Sequence, residues 1–72
     1  MVTRSLPTFG TLLKDYRLAV GLSQEALAEK AGLSVQAISA LERGTRQAPR
    51  RDTVALLARA LRLAPAERVQ LE

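Results

Sequence analysis

The chain contains no cysteine, no histidine and no tryptophan, and its aromatic residues are Phe9 and Tyr16 alone. Each absence closes a route. Without cysteine there is no disulfide and no thiol chemistry. Without cysteine or histidine, zinc sites built on those ligands and a histidine general base are excluded. With so few aromatics, the 47% of residues that are apolar must hold the fold through aliphatic packing. No apolar run approaches the roughly 18 residues that a membrane span needs. The opening MVTRSLPTFG has one arginine and no apolar segment of the signal-peptide kind, so the expected location is cytoplasmic. At 72 residues the chain is a single domain, near the lower size limit for one hydrophobic core.

Acid is missing from one stretch in particular. LERGTRQAPRR, residues 41–51, carries Arg43, Arg46, Arg50 and Arg51, and nothing acidic after Glu42. The whole chain has 11 basic and 7 acidic residues, so the net charge of +4 equals the charge of these four arginines. A focused positive patch attracts polyanions, nucleic acid first and anionic membrane second. A basic membrane binder would spread its charge along one amphipathic helix, whereas here it collects on a loop. No constellation pairs a nucleophile with a base or gathers metal ligands, so an enzyme is not expected, nor is a cofactor or a small-molecule ligand.

Strand patterns are absent too. The spacing predicts five short helices. Thr8 caps the first, which runs to about Val20 and buries Phe9, Leu12, Leu13, Tyr16 and Val20 on one stripe. Gly21 stops it. Ser23 caps a second helix, Gln24 to Ala31, ended by Gly32. Ser34 caps a third, Val35 to about Arg43, ended by Gly44. A fourth starts near Arg51 or Asp52 and runs to Leu61, burying Val54, Leu57, Ala58 and Leu61. Pro65 suits the first turn of a fifth, Ala66 to about Leu71. Residues 1–7 read as a flexible tail and 8–72 as the domain. The last helix looks cut short, which leaves open a longer parent protein and places Val69 and Leu71 either at an interface or against missing residues.

The segment SQEALAEKAGLSVQAISALERG, residues 23–44, carries the functional signal. Its GLS connection is too short for two helices to lie side by side, so they must cross steeply. Ala28 is small enough for the crossing and Gly32 accepts positive φ. Leu27, Ala31, Leu33, Ile38 and Leu41 can close one core. With Ile38 and Leu41 inward, Gln36, Ser39, Ala40 and Arg43 share one outward arc. That stripe mixes small residues with glutamine, which lets a helix sit in the DNA major groove and meet a base edge.

These pieces together, LSQEALAEKAGLS followed by ISALERG and then P and R, resemble the Cro/repressor-type (XRE-type) helix-turn-helix domains over roughly Phe9 to Arg68. The resemblance implies an all-α, compact, lambda repressor-like five-helix bundle that binds double-stranded DNA sequence-specifically, most often in a transcriptional regulator. It implies that Ser34, Val35, Gln36, Ser39 and Ala40 face bases, and that Gln24, Arg43, Thr45, Arg46 and Arg50 face phosphates. It also implies an ion pair between Arg17 and Glu42, and a second copy of the chain on a pseudo-palindromic site. A protein-docking module is the rival reading. The sequence departs from the pattern at Arg62, where relatives carry glycine, and at Ala64, where they carry serine or aspartate. The turn into the fifth helix is therefore expected to be less well capped than in those relatives.

Overall fold

The computed structural model describes residues 8–45 and 50–71, residue 70 through its backbone only. The expected tail, residues 1–7, and Arg46 with the loop around it lie outside the described residues. The described residues form five helices and no strand: α1 (Phe9–Ala19), α2 (Gln24–Ala31), α3 (Val35–Arg43), α4 (Arg51–Ala60) and α5 (Pro65–Leu71).

Short polar side chains start the first three helices. Thr8 Oγ1 accepts from the Thr11 amide at 3.2 Å, Ser23 Oγ from Ala26 at 3.0 Å and Ser34 Oγ from Ala37 at 3.1 Å. Each satisfies an amide that has no partner inside its own helix. The four helices α1 to α4 end in one shared closure. The chain turns left-handed at Gly21, Gly32, Gly44 and Arg62, with φ of 75°, 72°, 78° and 54°. The next amide then reaches back to a carbonyl one turn earlier: Leu22 to Arg17, Leu33 to Ala28, Thr45 to Ala40 and Leu63 to Ala58, at 2.9–3.1 Å. Three of these positions hold the residue that has no Cβ to clash; the fourth holds an arginine. Ala64 has no side-chain oxygen to cap α5, as expected, and a bond in the reverse direction makes up part of the loss. Glu67 Oε1 reaches back and accepts from the Ala64 amide at 2.9 Å.

The core joins α1 through Leu13, α2 through Leu27, Ala28 and Ala31, α3 through Ile38 and Leu41, and α4 through Leu57, with Leu61 just past its end. Phe9, Tyr16, Leu22 and Leu33 pack around it half-buried. Val20 was expected in this set and is 51% exposed instead. The helix closes at Ala19, and after Gly21 it is Leu22 that turns toward the core. Leu71 is 2% exposed, so it packs inside this domain and does not wait for missing residues, whereas Val69 is exposed.

One close approach fixes where α3 sits. Gly10 is buried in the first turn of α1. A Cβ placed there would stand 2.3 Å from the Leu41 carbonyl oxygen and 2.7 Å from that of Glu42. No side chain fits, so the absence of one lets α1 press on the last turn of α3.

Candidate nucleic-acid interface

The helix pair α2–α3 is joined by Gly32, Leu33 and Ser34. Ile38 and Leu41 are buried, which rotates the other side of α3 outward. On that side Ser34, Val35, Gln36 and Arg43 are exposed, and Ser39 and Ala40 are half-buried. Ser34 accepts through its oxygen, so its hydroxyl hydrogen stays available to an outside acceptor. Thr45 differs. Its hydroxyl donates to the Ala40 carbonyl at 3.0 Å, which spends its hydrogen on finishing α3. Arg50 is exposed at the start of α4 and makes no side-chain cap there.

The acid of α3 is turned inward. Glu42 meets Arg17 in a two-pronged pair, with Arg17 Nε donating to Oε2 at 2.7 Å and Nη2 to Oε1 at 3.0 Å. The two side chains are 10% and 4% exposed. Arg17 Nη1 also donates to the Leu22 carbonyl at 2.8 Å. Burial pushes the Glu42 carboxyl up. Hydrogen bonds from Arg17 and Gln24, with the charges of Arg17 and Lys14, outweigh it and hold the group below its ordinary value. The Arg17 guanidinium is raised by its hydrogen bond to Glu42, against the opposing effect of burial. No buried side-chain nitrogen or oxygen among the described residues lacks a partner.

Gln24 sits half-buried at the first position of α2, and its Nε2 donates to Glu42 Oε1 at 3.0 Å. The structure thus brings Gln24, Arg17 and the end of α3 together. Two residues of this region escape sequence reasoning. Gly10 could have been suspected, since glycine inside a helix needs a packing reason. Lys14 lies one turn before Arg17 on α1, exposed, with its charge acting on Glu42. Only the docking of α1 on α3 reveals that neighbourhood.

Two short helices crossing at a three-residue turn, the second with its outer side uncovered, define a helix-turn-helix domain. The chain belongs to the helix-turn-helix family, whose profile matches residues 13–68. It is 50% identical over 34 residues to an uncharacterized HTH-type transcriptional regulator of Methanothermobacter thermautotrophicus. That match covers 47% of this chain and 49% of the relative, so the chain spans about half the relative's length. Its fold is similar to that of the restriction-modification controller protein C.AhdI from Aeromonas hydrophila. There the TM-score is 0.76 at 40% identity, over 83% of this chain and 89% of the other. A point mutant of the restriction-modification controller protein C.Esp1396I gives a TM-score of 0.80 at 28% identity, over 89% and 82%. Fold and family make this a helix-turn-helix DNA-binding domain.

Proposed function

We propose that α3 enters the major groove of a specific duplex and that this domain regulates transcription from it, in the cytoplasm and without catalysis. The observation that carries the reading is the charge of α3. Its outer side shows Gln36, Ser39, Ala40 and Arg43, and its acid, Glu42, is buried and neutralised by Arg17. A helix whose outward side is free of negative charge can approach two phosphate strands. Gln36 reads a base, since its amide can donate and accept together along the edge of adenine. Val35, 37% exposed, suits a thymine methyl, and Ser34, Ser39 and Ala40 complete the contact. Gln24, Arg43, Arg46 and Arg50 hold phosphates. Thr45 serves that seat indirectly, by closing α3. A second copy of the chain binds the other half of a pseudo-palindromic site one helical turn away. The likeness to two restriction-modification controllers suggests that setting for the regulated genes.

The test is selection of random duplexes, followed by fluorescence anisotropy on the selected and scrambled sequences across a salt series. Gln36→Ala should cost roughly 1–3 kcal/mol on the selected site and almost nothing on scrambled DNA. Arg43→Ala should weaken both alike and flatten the slope of log affinity against log salt by about 0.9. If no motif is enriched and affinity ignores salt, the domain is a protein-docking module instead.

A further inference from the structure

We propose that Glu42 is a positioning residue for DNA binding: it fixes the Gln24 amide so that one N–H stays free for a backbone phosphate. The inference rests on the reading above, in which α3 lies in the groove and Gln24 faces the backbone.

Glu42 Oε1 accepts from both Gln24 Nε2 and Arg17 Nη2, each at 3.0 Å, while Oε2 takes Arg17 Nε at 2.7 Å. An ionised carboxylate only accepts. It therefore selects the nitrogen end of the Gln24 amide, because the oxygen end would set lone pairs against lone pairs. Nε2 carries two hydrogens, and one of them is spent on Glu42. The other remains, and a phosphate oxygen needs a donor.

The carboxylate is itself held. Arg17 grips both of its oxygens and anchors its third nitrogen on the Leu22 carbonyl, two residues before Gln24. One side chain of α1 so links the entry of α2 to the exit of α3. A lone carboxylate one amide away from a phosphate would repel it. The paired guanidinium removes that repulsion, and the charge of Lys14 also acts on the carboxylate. Gln24 is thus oriented before DNA arrives and gives up less side-chain freedom on binding than a free glutamine would.

The experiment is a double-mutant cycle on affinity for the selected duplex, using Gln24→Ala, Glu42→Gln and the double variant, each checked for folding by its melting curve. Gln24→Ala should weaken binding about tenfold, as loss of a hydrogen bond to a charged group does. Glu42→Gln should lose a similar factor alone and almost nothing further in the Gln24→Ala background. Losses that multiply would mean that Glu42 acts through the fold, and the proposal falls. If Gln24→Ala binds as the wild type does, the proposal also falls while the DNA reading stands. If the wild type selects no duplex, the reading itself has failed and takes the proposal with it. A second measurement needs neither DNA nor a stable Glu42 variant. In the free wild-type protein, one Nε2 proton of Gln24 should be shifted downfield and slowed in exchange by NMR. Two protons at the shifts and exchange rates of a solvent-exposed glutamine amide would overturn the proposal.

Discussion

Glu42 shows how one buried charge makes stability depend on acid. Its carboxyl titrates below the ordinary range in the folded chain, so the folded state binds that proton less tightly than the unfolded state. The stabilisation is complete above the unfolded value of about 4.3 and is lost as pH falls through the lower folded value. Melting temperature should therefore drop below about pH 4, and Glu42→Gln should flatten that drop. An unchanged acid profile in the variant would assign the drop to other carboxylates. Removing the side chain is harsher. Glu42→Ala strands Arg17 and should cost about 3–5 kcal/mol by thermal or urea unfolding, enough to unfold much of a domain this small. Arg62 shows the opposite sign. It occupies a left-handed position that glycine fills at the three preceding helix ends. Arg62→Gly removes the Cβ clash and should stabilise by about 0.5–1 kcal/mol, raising the melting temperature a few degrees. A lower melting temperature would mean that unfolded-state entropy outweighs the relieved strain.

At the scale of elements, Gly10 decides the distance between α1 and α3. Alanine normally favours a helix over glycine by up to about 1 kcal/mol. Here its Cβ would meet two backbone carbonyls that cannot swing aside, and overpacking costs roughly 1–3 kcal/mol. Gly10→Ala should thus destabilise on balance. It should also weaken DNA binding, because the shifted turn of α3 carries Glu42 and Arg43; binding at wild-type strength would show that α1 yields instead. The helices and their ends were legible in the sequence because capping hydroxyls and glycines act locally: Thr8, Ser23, Ser34, Gly32 and Gly44 each mark a boundary found in the structure. The outward arc of α3 was legible for the same reason, since the helical period alone fixes it once Ile38 and Leu41 face inward. What two helices do to each other was not. The close approach at Gly10, the engagement of Gln24 by Glu42 and the position of Lys14 all depend on docking. Val20 failed because a stripe drawn along a helix ignores where the helix stops.

Across the whole molecule, charge is sorted. The net +4 has its source on the stretch from Arg43 to Arg51, whose described residues close α3 and open α4. Lys14 adds an exposed positive charge on α1, close enough to act on Glu42. Lys14→Ala should flatten the salt slope by up to about 0.9 while leaving the ranking of duplexes unchanged. An unaltered slope, measured as for Arg43→Ala, would place Lys14 beyond the backbone's reach. No described helix is long and apolar enough to cross a membrane.

The bond between Arg17 and Glu42 spans 25 residues of chain and steps over the whole of α2. Most other contacts of a helical bundle are local, and such chains fold in microseconds to milliseconds. Closing that loop brings α1 onto α3 across α2, an ordering cost met before the bond forms, so the expectation is that the guanidinium and carboxylate meet late, on the native side of the barrier. Stabilisation gained after the barrier governs how fast a chain comes apart, not how fast it assembles. In stopped-flow kinetics, Glu42→Gln should speed unfolding and leave the refolding limb of the chevron nearly where it was. A slowed refolding limb would put the pair inside the nucleus. The same carboxylate that prepares a hand for DNA would then serve, in the free protein, as the latch that sets its lifetime.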